Sequence, residues 1–437
     1  VDWFLAAALL IGLIVGLMML GVPVAVAFMA TNMIGTLVFV GGLAGMTQVV
    51  DNSTALITTF QLVPVPLFIL MGSLFFHSGL ALRVFDALDK LFGRLPGRLC
   101  FLTVAGGATF STMTGSSMAN TAMLGSLMVP EMQRRGYNWR MSLGPILGTG
   151  GLAMIIPPSN LGVLLASVAS IDVGRLLVSG VVPGFLLALL YSAMILVQVI
   201  LYPGSAPSYA VERSSLRQKL RAVAVDILPM GLVVFMVVGS IVFGIATPSE
   251  ASAFGVLGVL ILAAAFRLLS WQAIRKSLEA TVKVAGMVFF IIISSSVFSQ
   301  LVAYSGASAG LLKWATSFDL SVTAMLLSMF AVLLLLGMFM DPVSMILISV
   351  PIFMPIVQFL KVDPVWFGLF TLLALEMSQT TPPFGLLLYI MLGVAPRGTT
   401  LFQVAAAAFP FLVCDAVLVL LLIAFPAIAL SLPNLMK

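Results

Sequence analysis

The chain has 437 residues, 61% of them hydrophobic and only 8% charged, with a mean hydropathy of +1.21 and a formal charge of +5. Soluble domains carry about 25% charge, so a soluble globular protein is excluded, and apolar runs of about 20 residues recurring from end to end predict an all-α polytopic membrane protein rather than a barrel of short alternating strands. The basic excess reports orientation in such a protein and does not point to nucleic acid.

In chain order, spans are predicted at about 3–21, 24–45 and 57–80. The first lacks a basic n-region and a small-residue cleavage pattern, so it is expected to be a true span and not a signal peptide. Residues 81–98, "ALRVFDALDKLFGRLPGR", mix apolar positions with Arg83, Lys90, Arg94 and Arg98, as in a helix lying along the membrane surface. Segment 99–133 comes next, overlapping a basic loop at 131–140 with Arg134, Arg135 and Arg140. The span at 141–168 contains "MIIPPSNLG", whose adjacent prolines remove backbone donors and break the helix. A span at 175–202 is followed by the polar stretch 203–225, with Arg213, Arg217, Lys219 and Arg221. Further spans fall at 226–246, 249–267 and 284–304. The stretch before the last of these holds Arg267, Arg275, Lys276 and Lys283, and its part 270–283 suits a second surface helix. Segment 320–360, a span at 364–393 broken at "QTTPPFGLL", and a span at 400–430 complete the chain.

The two proline pairs reveal a repeat. Pro157–Pro158 and Pro382–Pro383 are 225 positions apart, and the same offset carries Pro23 onto Pro248, Pro130 onto Pro355, and Ser116–Ser117 onto Asp341–Pro342. "HSGL" at 77–80 matches "YSGA" at 304–307 two positions further on. The halves are 1–202 and 226–437, joined by 203–225. Repeats of this kind are common in secondary transporters.

Placing the basic loops in the cytoplasm, where Arg397 joins them, leaves only Arg175, Lys313, Lys361 and Lys437 outside, as the positive-inside rule favours. Segment 99–133 then enters and leaves on one side, as a re-entrant hairpin with the small, polar tip "TMTGSSMANTAM". By repeat symmetry 320–360 is a matching hairpin from the opposite side. The expectation is about ten transmembrane helices, two re-entrant hairpins, two inverted repeats, a cytoplasmic linker and periplasmic termini. Trp3, Trp139, Trp271, Trp314 and Trp366 fall at the predicted membrane edges.

Irregular backbone at membrane depth is tolerated only inside protein or around a polar cavity. Carbonyls freed at a break suit a hard cation such as sodium, and the helix N-terminus beyond it suits an anion. A first cation site would draw on Thr114, Gly115, Ser116 and Ser117 at the tip and on Gly148, Gly150, Pro157, Ser159 and Asn160 at the break. A second would draw on Gly337, Met340 and Asp341 with Thr380, Thr381, Pro382 and Gly385. A carboxylate held between them would meet Ser117, Asn120, Pro158, Ser159, Asn160, Pro342, Pro383 and Gly385. Singly, such small residues also mark close helix packing.

Acids at membrane depth cost roughly 2.5–3.5 kcal/mol each to insert. Asp341 is the sharpest ligand candidate, with helix capping as its alternative, and Glu376 reads as site support or ligand. Glu250 reads as a first-turn carboxylate, and Asp415 as a packing or subunit contact. His77 reads as structural, and Cys100 and Cys414 as packed hydrophobes; one histidine leaves no cluster for a metal.

The motifs "PLFILMGSLFFHSGL", "TGSSMANTAMLGSLMVPEMQRRGY", "IIPPSNLGVLLA", "ATPSEASAFGV", "DPVSMILISVPIFMPI" and "TTPPFGLLLYIML" run in order over nearly the whole chain. In them the sequence resembles the large, DctM-like membrane subunit of tripartite ATP-independent periplasmic (TRAP) transporters. The resemblance implies uptake of organic acids such as C4-dicarboxylates or sialic acid, driven by sodium (at least two ions), in a bacterial inner membrane. It implies an elevator-type fold, a small four-helix membrane subunit and a periplasmic substrate-binding protein. By motif position the family's cation-site residues match Ser116, Ser117, Asp341, Thr380 and Thr381. The alternatives are a self-sufficient sodium/carboxylate symporter of related fold, an intramembrane enzyme and a channel. Asp341 and Glu376 come with no catalytic motif, so an enzyme is not expected.

Overall fold

The computed structural model describes residues 2–58, 62–93, 95–208, 215–382 and 385–436, apart from the side chains of 43, 44, 56, 57, 113 and 114. Arg94, Arg213, Pro383, Lys437 and the side chain of Thr114, all singled out above, lie outside the described residues. Every regular element described is helical.

The first half opens with α1 (Trp3–Met19), α2 (Val24–Phe39) and α3 (Leu43–Ile57), followed by α4 (Pro64–His77) and α5 (Leu80–Leu91). Gly41 and Gly42, at φ +86° and +70°, follow α2, a backbone region that disfavours side chains. The predicted span 24–45 therefore stops early, and α3 is a separate helix. The predicted span 57–80 starts at Pro64. At Gly79, φ +84°, the chain turns by 64° into α5, which buries Leu80, Val84, Phe85 and Leu88 on one face. Next come α6 (Arg98–Thr114), α7 (Ser117–Arg134), α8 (Trp139–Ile155) and α9 (Asn160–Ala169), then α10 (Val173–Ser179) and α11 (Val181–Leu201).

The second half begins with α12 (Leu216–Ala222), which continues through a π-helical turn, Val223–Ile227, into α13 (Leu228–Val242). Part of the predicted linker is thus helical. Arg83 on α5 meets Asp226 of that turn at 2.6 Å, with its guanidinium 3.9 Å over the Phe266 ring. There follow α14 (Pro248–Ala265), α15 (Trp271–Tyr304) and α16 (Ala307–Thr316), and then α17 (Val322–Gly337), α18 (Pro342–Phe359), α19 (Pro364–Gln379) and α20 (Leu386–Val394). The chain closes with α21 (Leu401–Ala424) and the short α22 (Ala427–Leu430). Residues 270–283, expected as a separate surface helix, are instead the start of the continuous 34-residue α15. Neither glycine nor proline interrupts 271–285, so nothing in the backbone ends the helix there.

Among the described residues six helices are long and apolar enough to cross a membrane, or eight if each bent pair counts as one span. Apolar α1, α2 and α17 are shorter, at 17, 16 and 16 residues. The chain is a multi-pass membrane protein. Its outer surface is apolar, with Phe235, Leu257, Phe409 and Leu420 exposed. Its centre is the pair α8 and α19, buried at every residue from Met141 to Ile155 and from Val365 to Gln379. A helix buried on all sides is the innermost element of its bundle. Lipid is as apolar as leucine, so close packing rather than water exclusion holds such helices together. Gly144 and Gly148 supply it: a Cβ on either would strike Phe411 of α21, at 2.8 and 2.7 Å.

Helices recur in matching order in the two halves. α5 and α16 both follow a left-handed glycine, Gly79 or Gly306. Ser116 caps α7 as Asp341 caps α18, and α8 with α9 corresponds to α19 with α20. Met154 and Gln379, separated by the 225-residue offset, touch: Gln379 Nε2 lies 3.5 Å from Met154 Sδ.

Candidate functional site at the hairpin tips and helix breaks

The first tip rests on the first break. α6 ends at Gly115, φ +57°, whose added Cβ would lie 2.8 Å from the Pro158 carbonyl oxygen and 3.2 Å from the backbone N and side-chain Cγ of Asn160. The contact is backbone against backbone, and any side chain would separate the two. Ser116 then caps α7, its hydroxyl accepting from the Ala119 amide at 3.4 Å, and Ser117 is buried behind it.

The break follows from the proline pair, joined by a cis peptide bond. Pro157 and Pro158 offer no N–H to the carbonyls of Ala153 and Met154, one turn earlier. The helix restarts at Asn160, with the Ser159 hydroxyl accepting from the Gly162 amide at 3.0 Å and a 42° bend between α8 and α9.

Asn120 binds the hairpin to α8. Its side-chain amide donates to the Gly107 carbonyl, the Ser111 hydroxyl and the Thr149 carbonyl at 3.0–3.3 Å. Its own Oδ1 is buried without a hydrogen-bond partner, as is Oγ1 of Thr121, which lies against Gly150. Gly148 stands apart, since its open face packs on Phe411 rather than on the tip.

The second half repeats the arrangement with different chemistry. Gly337, the last residue of α17, lies against Ser378 of α19 and Met345 of α18. Asp341 caps α18: one oxygen accepts from the Val343 and Ser344 amides at 3.0 and 3.2 Å, and the other from the Ser344 hydroxyl. Asp341 therefore caps α18. Met340 and Asp341 are half-buried, and Pro342 is buried. At the break the Thr380 and Thr381 hydroxyls both donate to the Met377 carbonyl, at 3.1 and 2.6 Å. Gly385 is pressed between the carbonyls of Gln379 and Thr381, while Pro382 is exposed. Gln379 Oε1 is a further buried oxygen without a partner.

The oxygens at the two tips and breaks are of the kind that a hard cation takes. Among the described residues no three His, Cys, Asp or Glu side chains converge as metal ligands, so a cation here would rest on hydroxyl, amide and carbonyl oxygens. The unpartnered oxygens of Asn120, Thr121 and Gln379 are acceptors of that kind, buried at a cost that a ligand would offset. Because Met154 meets Gln379, the two breaks adjoin. Beside the first lies a cavity of about 690 Å³ between α6, α11 and α13, bordered by Thr109, Thr112, Pro157, Phe185 and Met230.

Thr121, Gln379 and Tyr191 were not among the residues expected from sequence. Thr121 lies one helical turn beyond Ser117, and Gln379 directly precedes Thr380, so scanning each tip and break for every oxygen-bearing side chain would have found both. Glu250, by contrast, behaves as predicted, forming a capping box with Thr247.

A family model described as "Tripartite ATP-independent periplasmic transporter, DctM component" matches residues 11–428. The C4-dicarboxylate TRAP transporter large permease protein DctM of Rhodobacter capsulatus is 31% identical over 99% of this chain and 100% of its own length. The ectoine TRAP transporter large permease protein TeaC of Halomonas elongata is 27% identical over 98% of this chain and 99% of its own. In fold, the chain resembles the crystal structure of the YdaH transporter of Alcanivorax borkumensis, with a TM-score of 0.61 over 87% of this chain and 88% of that one, at 16% identity.

Proposed function

Because the chain belongs to the DctM component family of tripartite ATP-independent periplasmic transporters, we propose that it is the membrane permease of a three-part system that takes up an organic acid together with sodium ions. It is a transporter subunit and not an enzyme. The cargo we put first is a carboxylate such as a C4-dicarboxylate or sialic acid, in line with the dicarboxylate named for the Rhodobacter relative. The Halomonas relative is named for a different cargo, ectoine, and in our reading a periplasmic binding protein would select the cargo. The second partner is a small four-helix membrane subunit.

The observation that carries this reading is the seat of Gly115 on Pro158 and Asn160, with the unpartnered oxygens of Asn120 and Thr121 on the helix that follows, α7. A re-entrant tip closing on a broken helix makes a dehydrated, oxygen-lined compartment. Ser116, Ser117, Gly150 and the carbonyls before Pro157 would hold one sodium; Asp341, Thr380 and Thr381 would hold another. No Lys or Arg lies deep in α7, α8, α18 or α19, so bound sodium and the N-termini of α9 and α20 would balance the cargo's charge.

In the architecture we propose, 1–202 and 226–437 are inverted repeats joined by a cytoplasmic linker, 203–225. Ten spans and two hairpins lie in the inner membrane, with both termini periplasmic. The hairpins and broken helices would move as an elevator against α1–α4 and α13–α15, and the cavity between α6, α11 and α13 leaves room for that slide.

The test is radiolabelled uptake into liposomes containing this chain and the small subunit, with candidate binding proteins and an imposed sodium gradient. Uptake should require the binding protein and collapse without the gradient. Uptake by this chain alone would indicate a self-sufficient symporter, and uptake indifferent to sodium would remove the cation assignment.

A further inference from the structure

Behind the two breaks, Tyr191 of α11, Glu376 of α19 and Asp415 of α21 meet in the interior, at 0%, 2% and 2% exposure. The Tyr191 hydroxyl lies 3.0 Å from Glu376 Oε1 and 2.5 Å from Asp415 Oδ1. Gly151 of α8 closes the fourth side, leaving no space for a Cβ beside the Glu376 carboxyl.

A phenol has one proton to give. Two ionised carboxylates would compete for it, and the loser would set oxygen against oxygen. Two like charges in a dry interior also repel strongly. Among the described residues no basic side chain relieves them. On the helices packed against α11, α19 and α21, the basic residues described are Arg98, Arg140 and Arg175. Arg98 is tied to Asp89, Arg140 stacks over Trp139 at the far end of α8, and Arg175 bonds Asn434. The other acids on these elements, Asp172, Asp341 and Asp363, cap helix ends. The neighbouring Cys414 thiol faces the Leu190 carbonyl. Independently, Glu376 Oε2 is buried with no hydrogen-bond partner, an acceptor that lacks a donor.

We propose that Glu376, Tyr191 and Asp415 form a proton-binding site that holds one proton in addition to the phenolic one. One carboxyl then donates to the Tyr191 oxygen while the phenol donates to the other, so both short contacts carry a proton. The cluster has a single negative charge, spread over two carboxyl groups and three helices. The site rests on none of the sodium or cargo assignments above. It also differs from them in kind, since hydrogen-bond distances on both sides of the phenol admit a proton and nothing larger.

The test is infrared difference spectroscopy of the purified chain in lipid at neutral pH, in H2O and in D2O. The wild-type protein should show the C=O stretch of a protonated carboxylic acid, shifting down in D2O. Tyr191→Phe should move that band to higher frequency, because the acid loses its acceptor. The double variant Glu376→Gln/Asp415→Asn should lose it. A wild-type spectrum without the band overturns the proposal whether or not any variant folds, as does a band unchanged in both variants.

Discussion

Replacing Gly115 with alanine tests the contact on which the cation site depends. Two costs arise. A left-handed residue that gains a Cβ loses about 1–2 kcal/mol, and here φ is +57°. The Cβ would also sit 2.8 Å from the Pro158 carbonyl oxygen, a backbone atom with no rotamer to escape into; overpacking of this kind costs about 1–3 kcal/mol. Gly79→Ala and Gly306→Ala separate the two, since both glycines are left-handed, at φ +84° and +74°, with nothing within 4 Å of the added methyl. If the tip must rest on the break to bind sodium, the second cost falls on sodium affinity. At about 1.4 kcal/mol per tenfold, the half-activating sodium concentration should rise by roughly 5- to 150-fold in Gly115→Ala and stay unchanged in the two controls. Sodium-dependent uptake reads this directly. The rise in thermal stability with added sodium reads it without transport, because a ligand of the folded state stabilises by mass action. Wild-type sodium activation in Gly115→Ala, or an equal shift in all three variants, would refute the reasoning.

Other substitutions divide capping from ligation and test the topology. Asp341→Asn keeps a good capping residue but removes the charge, so sodium activation should weaken with thermal stability nearly intact; Asp341→Ala should also lose about 1 kcal/mol of stability in denaturation, a typical cap loss. Ser116→Ala should weaken sodium activation of uptake at a similar stability cost, and unchanged activation would remove Ser116 from the site. Gly151→Ala drives a methyl into the Glu376 carboxyl and should destabilise by about 1–3 kcal/mol in thermal unfolding. Lys90→Cys and Arg134→Cys lie at exposed positions, while native Cys100 and Cys414 are buried. Both engineered thiols should react with a membrane-impermeant reagent only from the cytoplasmic side, and labelling from opposite sides would break the re-entrant assignment of 99–133.

What the sequence reveals is what its backbone rules encode. Proline pairs, left-handed glycines and the Ser116 and Asp341 caps are local; the proline pairs and caps recur at the 225-residue offset, and Gly79 and Gly306 two positions beyond it. Boundaries inside apolar runs are harder to read, because hydropathy does not distinguish a span from the linker between two helices. Thus 57–80 reads as one span although α4 begins at Pro64, and 24–45 conceals the glycine pair that ends α2. The sites divide the same way. Gly115 and Ser159 stand out as tip and break residues, but the role of Asn120 in joining α6, α7 and α8 depends on distances that no spacing rule gives. Tyr191 is harder still, since its two partners lie 185 and 224 residues away on other helices.

The unbroken course of α15 has a mechanical corollary. At 1.5 Å per residue its 34 residues extend about 51 Å, against a hydrocarbon slab of about 30 Å. An upright rod of that length would leave a stub of roughly 20 Å beyond the lipid tails, and the stub would be its N-terminal end, studded with Arg275, Lys276, Glu279 and Lys283. A helix of that length is a lever rigid enough to transmit force from the headgroup plane to the middle of the bilayer.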